Sequence, residues 1–367
     1  MLKLAMLAGL VALLPLSWWW LRQRGASLRT RLAALTAITV FLTFDLIVFG
    51  AFTRLTDSGL GCPDWPGCYG EASPLEARAD IHAAQTAMPS GPVTAAKAWI
   101  EMIHRYLAMA VGALIVVAAA VGWRRRADLP HSPWWATVTL VWVIVQGLFG
   151  KYTVTLKLYP AIVTLHLLGA LVLLGLLVLQ HESFGDRPLR LRLSHRAIGW
   201  VGALLLLQMA LGAWVSTNYA VLACTGFPAC NGEWWPVMDV RHGFTVLREL
   251  GRAGHGGFLP FEALVAIHMA HRLFAVVAAG GLVWLVARLW REDGPAPRRY
   301  AMALTALLVL QVATGLSNVV LDWPLVAALM HTAGAGALTG VLTSLWARAA
   351  RASSGMALPA GGLGRPA

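Results

Sequence analysis

The sequence is poor in charged residues and in cysteine. Only 13% of its 367 residues are Asp, Glu, Lys or Arg, whereas soluble domains average about 25%. The chain has four cysteines, too few for a fold held together mainly by disulfides. The shortage of charge excludes an ordinary soluble enzyme.

Hydrophobic residues are abundant and unevenly distributed. They make up 58% of the chain and fall in blocks of about 20 residues, the length that crosses a hydrocarbon core of roughly 30 Å. The pattern predicts an all-α, polytopic bundle in a lipid bilayer. We place nine apolar spans at 2–21, 32–53, 99–122, 133–150, 161–180, 197–215, 263–287, 300–320 and 325–347.

The basic residues indicate topology rather than nucleic-acid binding. The net charge is +12, but 18 of the 29 Lys and Arg residues lie in alternate connections and in the tail from 348. The positive-inside rule puts those segments in the cytoplasm, so that the C-terminus is cytoplasmic and the two long loops face outward. No organellar transit sequence precedes the spans. We therefore expect a bacterial inner membrane, with periplasmic long loops.

The segment 2–21 has two interpretations. It could be a signal peptide, but it lacks a small-residue cleavage site and ends in three tryptophans followed by arginines. An uncleaved extra transmembrane helix is the favoured reading.

An internal repeat organises the rest of the chain. Cys62 and Cys68 map onto Cys224 and Cys230 at an offset of 162, and His104-Arg105 maps onto His271-Arg272 at 167. Gln146 and His166 map onto Gln311 and His331 at 165. Two four-helix units should thus be related by a pseudo-two-fold axis along the membrane normal. The predicted divisions are an extra helix with a basic cytoplasmic linker (1–31), two halves (32–185 and 186–350) and a flexible cytoplasmic tail (351–367).

Four histidines form a duplicated pair inside the spans. His104 and His166 lie at matching depth below the outer face, and so do His271 and His331. Two level imidazoles across a four-helix bundle suit axial ligation of a haem iron, so each half would hold one haem. Hydrogen-bonded interhelical contacts are the plainer alternative. Zinc is disfavoured because it needs three or four clustered ligands.

The residues beside the first histidine of each pair distinguish the halves. Arg105 and Arg272 could bind haem propionates or extend toward lipid headgroups. Three residues before the histidine stands Glu101 in the first half and His268 in the second. Glu101 could act as a base, a proton relay or a stabiliser of positive charge, or simply pair with Arg105 or a ring N–H. The roles of His268 and of the intramembrane Asp45 stay open.

The cysteines form two pairs in the outward loops, each with five residues between its members. Cys62 with Cys68, and Cys224 with Cys230, are close enough in sequence for local disulfides in an oxidising compartment. A loop staple is the leading role, and redox exchange by Cys62 and Cys68 is the alternative.

Several segments together resemble the haem A synthase family. They are GAFTRLTDSGLGCPDWPGCYG (50–70), WIEMIHRYLA (99–108), AIHMAHRLFA (266–275), LHLLGA (165–170) and MHTAGA (330–335). The resemblance spans roughly residues 40–347, so the helix at 2–21 falls outside it.

The resemblance implies an oxidoreductase that oxidises the C8 methyl group of haem O to the formyl group of haem A for cytochrome oxidase assembly. It implies that His104 and His166 bind the substrate haem, that His271 and His331 bind a haem b cofactor, and that Glu101 is the essential acid. Haem O synthase and an electron-transfer protein are the expected partners. Two other functions stay open: a di-haem b electron carrier linked to quinol, and a membrane thiol oxidoreductase.

Overall fold

The computed structural model describes residues 2–129, 132–254 and 257–353. His131, His255 and the predicted tail beyond Ser353 lie outside the described residues. Two short helices, α3 (Arg78–Ala87) and α8 (Val240–Gly243), lie in the two long loops that contain the cysteines. The α-helices in chain order are α1 (Leu2–Arg22), α2 (Leu28–Leu55), α3 (Arg78–Ala87), α4 (Ala95–Arg124), α5 (Trp134–Thr155), α6 (Pro160–Ser183), α7 (His195–Thr217), α8 (Val240–Gly243), α9 (Phe261–Trp290), α10 (Pro295–Val320) and α11 (Leu325–Ser353).

The predicted membrane bundle is confirmed. Among the described residues, eight helices are long and apolar enough to cross a membrane, and they coincide with eight of the nine predicted spans. The exception is the span predicted at 2–21. Helix α1 covers it, but the apolar stretch found there, Met6–Arg22, is shorter than the other eight.

Helix α1 packs along α4 from the loop that contains Cys62 and Cys68 to the opposite end of the bundle. Near its start, Leu4 is buried in a cluster with Cys62 and Met102, and Lys3 pairs with Glu76 of this loop at 2.8 Å. Near its end, Trp19 is buried against α2 and α4. The helix therefore extends across the same thickness as α4, which supports the predicted extra span.

Some helices are longer than their apolar blocks. Helix α4 begins at Ala95, where the hydroxyl of Thr94 accepts a hydrogen bond from the Lys97 N–H and caps the helix. Helix α11 continues to Ser353 because its last turns are held by polar contacts, including one from Arg351 to Glu182 at 3.3 Å. Hydropathy detects neither extension, since both depend on polar side chains.

The two four-helix sets meet around a pseudo-two-fold axis. At the end of the bundle near the long cysteine-containing loops, Arg54 donates to the Ser216 carbonyl at 2.6 Å, and the Tyr219 hydroxyl donates to Asp57 at 2.7 Å. The partners in both bonds stand 162 residues apart, which is the repeat offset in this part of the chain, so equivalent residues face each other there. At the opposite end, the Ser344 hydroxyl of α11 donates to Glu182 of α6 at 2.6 Å and links the fourth helices of the two sets.

The core between the two sets is apolar with few polar links. Ile47, Leu171 and Leu174 of the first set pack with Met209 of the second. Burial of this kind excludes lipid from the interface. It fixes α2, α6, α7 and α11 as the inner helices, and the remaining helices flank them.

Candidate functional site

The structure places the four predicted histidines in two pairs. His104 lies on α4 and His166 on α6, the second and fourth long helices of the first set. His271 on α9 and His331 on α11 hold the same two places in the second set. No cluster of three or more His, Cys, Asp or Glu side chains suited to a metal ion occurs among the described residues. The arrangement therefore offers two imidazoles per half, as axial ligation of a porphyrin iron needs.

Each histidine of the first half lies against a glycine of the long helix that precedes its own. A Cβ built on Gly50 of α2 would lie 3.0 Å from His104 Nε2, and a Cβ on Gly150 of α5 would lie 3.5 Å from His166 Cε1. The first distance is shorter than ordinary van der Waals contact. An alanine at position 50 would thus occupy space that the imidazole uses.

The second half repeats this arrangement. A Cβ on Gly212 of α7 would lie 2.9 Å from His271 Cε1, and a Cβ on Gly315 of α10 would lie 3.2 Å from His331 Cε1. Each of the four histidines therefore faces a glycine of a neighbouring helix, and hydropathy does not reveal this packing. Its signal in the sequence is a glutamine four residues before the glycine in three of the four helices, at Gln146, Gln208 and Gln311.

Gln146 and Gln311 pack tightly against the fourth long helix of their halves. A Cβ on Gly169 would collide with the Gln146 amide, and a Cβ on Gly334 would collide with the Gln311 amide. Gln311 Nε2 donates to the His331 carbonyl at 2.8 Å. The matched Gln146 and Gln311 of the repeat thus set the close approach of adjacent helices next to the histidines.

Glu101 and Arg105 form a buried ion pair in the first half. Glu101 Oε1 lies 2.5 Å from Arg105 Nη2, and Glu101 Oε2 accepts the Cys62 N–H at 2.8 Å. Both side chains are less than one tenth exposed. Of the alternatives left open for Glu101, the structure shows the contact with Arg105. Because Glu101 stands one helical turn before His104, both side chains share a face of α4.

Arg105 is also bound to the loop that the first disulfide closes. Its Nη1 donates to the carbonyls of Asp64, Pro66 and Gly67. A propionate would need the same Nη1 hydrogens that these carbonyls bind. Propionate binding by Arg105 therefore stays a prediction, and the observed partners do not favour it.

The second half has no equivalent of this ion pair. His268 takes the position of Glu101 and is buried, and its Nδ1 has no hydrogen-bond partner among the described residues. Arg272 donates to the carbonyls of Ala229 and Cys224 at 3.3 and 3.2 Å, and its Nε has no partner in the same part of the chain. Arg272 therefore keeps donor capacity for an anion. The two halves differ in charge at this point, since only the first combines a carboxylate with its arginine.

The four cysteines form two disulfides, Cys62 with Cys68 and Cys224 with Cys230. All four are at most 2% exposed. Thiol exchange requires access to a sulfur atom, so the burial favours the staple over the redox role. Asp45 lies in α2, partly exposed, and within the described chain no hydrogen bond or ion pair to it is observed.

Comparison with known proteins identifies the family of this chain. The profile of the COX15-CtaA family, described as cytochrome oxidase assembly protein, matches residues 33–343. The haem A synthase of Shewanella oneidensis is 36% identical over 86% of this chain and 96% of its own length. The haem A synthase of Shouchella clausii is 27% identical over 77% and 82%, and that of Caulobacter vibrioides is 28% identical over 84% and 92%. The chain therefore belongs to the COX15-CtaA family of cytochrome oxidase assembly proteins.

Proposed function

We propose that this chain synthesises haem A by oxidising the C8 methyl group of haem O to a formyl group. The observation that carries the proposal is the asymmetric duplication. Two histidine pairs are built alike, but only one has an acid, Glu101, one turn from its first histidine. A protein that only carried electrons would have no use for this difference. The curated relatives named haem A synthase support the same reaction.

The residues of both sites fit a porphyrin. The donor set is a pair of imidazoles, a glycine leaves space beside each ring, and the buried Nδ1 of His166 has no partner among the described residues. We assign His104 and His166 to the substrate haem O and its product haem A. We assign His271 and His331 to a haem b cofactor, with Arg272 as a donor for its propionates. When bound, haem b supplies a one-electron redox centre.

Glu101 is the proposed catalytic acid-base group. Arg105 and the Cys62 N–H hold its two oxygens, so the carboxylate keeps a fixed position on the His104 face of α4. From there it can take up a proton released from the methyl carbon or stabilise positive charge that develops beside the ring. Arg105 and the disulfide loop act through Glu101 and are positioning groups.

The membrane orientation follows from the charge distribution. The Arg-rich connections lie at the ends of the helices opposite the disulfide loops. We infer an inner-membrane protein with the disulfide loops in the periplasm and the C-terminus in the cytoplasm. Residues 32–185 and 186–350 are the substrate and cofactor halves in this proposal. Haem O synthase would supply the substrate, and a separate electron-transfer protein would exchange the electrons.

Pigment analysis tests the proposal. The chain is produced in bacteria that make haem O, and the extracted haems are separated by chromatography and identified by mass. We expect formyl haem from the natural sequence and at least about 100-fold less from Glu101→Gln, the effect typical of losing a general acid or base.

The matched control is Glu292→Gln. Glu292 is also buried, but it accepts the N–H groups of Arg192 and Leu193 far from the histidines, so we expect normal conversion. Unchanged haem O in the natural protein, with reversible reduction of both haems, would instead identify an electron carrier. Full conversion by Glu101→Gln would remove the proposed role of the acid.

A further inference from the structure

The histidine rings of the second half are held by hydrogen bonds from the neighbouring helices. Thr314 Oγ1 of α10 lies 3.0 Å from His331 Nδ1, and Gln208 Nε2 of α7 lies 3.0 Å from His271 Nδ1. The Gln208 nitrogen also lies 3.5 Å from His271 Nε2, whereas Thr314 contacts only Nδ1 of His331 in the described chain. In His331 the other ring nitrogen, Nε2, is thereby left as the atom that can bind a metal.

The geometry at Thr314 fixes the direction of its bond. The hydroxyl has one hydrogen, which it donates to the Leu310 carbonyl at 2.7 Å. Toward His331 it is therefore an acceptor, and Nδ1 carries the proton. A ring protonated on Nδ1 presents a free electron pair on Nε2.

Gln208 holds His271 in a different way. Its Nε2 donates to the His271 carbonyl at 3.2 Å and lies 3.0 Å from His271 Nδ1, and its buried Oε1 has no hydrogen-bond partner among the described residues. The amide therefore contacts both the backbone and the ring of His271, which restricts the orientation of the ring. Each second-half histidine thus has a polar side chain against its ring.

The first half lacks both partners. At the repeat offsets of 162 and 165, Leu46 replaces Gln208 and Phe149 replaces Thr314. His104 is instead stacked on Phe49, with ring centroids 6.4 Å apart, and His166 Nδ1 is buried without a partner in the described chain. Neither Leu46 nor Phe149 can form a hydrogen bond with a ring nitrogen.

We propose that Gln208 and Thr314 are positioning residues that orient His271 and His331 and make the second half retain its haem, whereas Leu46 and Phe149 leave the first-half histidines free to release theirs. The inference rests on the proposed function, since it requires haem in both halves. A hydrogen bond from the far nitrogen fixes the ring and makes it a stronger ligand, and its loss typically weakens metal binding about 10–100-fold. An enzyme that must release its product and keep its cofactor needs this difference.

The test measures haem retention and reduction potential in the purified full-length chain. Thr314→Val keeps the shape of the side chain and removes the acceptor, and Gln208→Leu introduces the first-half residue. We expect haem b to transfer to an apo-haemoprotein acceptor about 10–100-fold faster from each variant. For Thr314→Val we also expect a more positive reduction potential, because a ligand without its acceptor donates less electron density to ferric iron. Thr314→Ser should restore both values, since it keeps the hydroxyl.

Two control variants separate positioning from general loosening of the bundle. Thr305→Val removes a hydroxyl of α10 that bonds only the Ala301 carbonyl. Gln180→Leu removes a buried amide that accepts from Thr139. Neither side chain contacts a histidine, so both controls should keep the natural transfer rate and potential. The converse variant Leu46→Gln should slow release of haem O from the first half.

The outcomes distinguish the two proposals. Natural protein that binds no haem would overturn the proposed function, and the positioning role with it. Natural protein that binds haem, with Thr314→Val and Gln208→Leu matching their controls in transfer rate and potential, would overturn the positioning role alone.

Discussion

The two halves share one architecture but surround their histidines with different chemistry. In the first half, Glu101 and Arg105 form a buried ion pair, and the ring of His104 stacks on Phe49. In the second half the acid is absent, and the histidine rings contact Gln208 and Thr314. The comparison shows how a duplicated bundle can divide its work. One copy has the acid that chemistry on a substrate needs, and the other has the contacts that hold a cofactor.

The largest effect should follow from removing a second-half histidine. We expect His271→Ala to lose its resident haem. Its affinity for haem should decrease by more than the roughly 10–100-fold that follows from removing a residue hydrogen-bonded to a ligand. His104→Ala should keep the resident haem and lose substrate binding. The haem-to-protein ratio of the purified variants measures both, and equal losses from the two would contradict the division of roles.

The next largest effect should come from substituting the arginine that follows the first histidine of each half, because the two arginines have different partners. Arg105→Gln leaves the buried Glu101 without its countercharge, which typically costs about 3–5 kcal/mol. Arg272→Gln should cost less, since Arg272 has no carboxylate partner in the structure. Thermal unfolding in detergent measures the loss of stability in each variant. A smaller loss of stability for Arg105→Gln than for Arg272→Gln would contradict the difference between the halves.

The glycines beside the histidines should show an intermediate effect. Gly50→Ala places a methyl group 3.0 Å from His104 Nε2, and such overpacking costs about 1–3 kcal/mol. Substrate binding should weaken as His104 is displaced. Gly112→Ala in α4 is the control, because no atom lies within 4 Å of the added carbon. Titration of haem O into both variants checks the prediction, and equal affinities would contradict it.

The smallest effect concerns α1, which lies outside the repeat and packs against α2 and α4 of the first half. Lys3 is the main cause of a lowered pKa of the Glu76 carboxyl. A lowered pKa means that the pair stabilises the fold above the unfolded pKa and that this contribution disappears as pH falls through the folded value. The pair is exposed, so Lys3→Met should lower the unfolding temperature only slightly at pH 7 and not at all in acid. A difference that grows in acid would contradict the assignment.

Much of this organisation was accessible from sequence, for identifiable reasons. The eight long spans follow from apolar length, and the histidine pairs follow from the repeat, because both features are periodic in the chain. Arg105 was one of the partners that the sequence offered for Glu101. The Cys62 N–H and the loop carbonyls around Arg105 did not follow, since these groups come together only when the loop of the first disulfide folds onto α4. Gln208 and Thr314 were missed for a related reason: their contacts cross between helices.

The most direct test of the account is a conversion experiment that follows both haems at once. The chain is purified with haem b, returned to membranes that supply oxygen and electron-transfer components, and given haem O, and the pigments are then extracted and weighed by mass spectrometry. The account predicts that haem O becomes formyl haem while haem b stays unaltered and bound. Haem O that remains unchanged in protein loaded with both haems would contradict it.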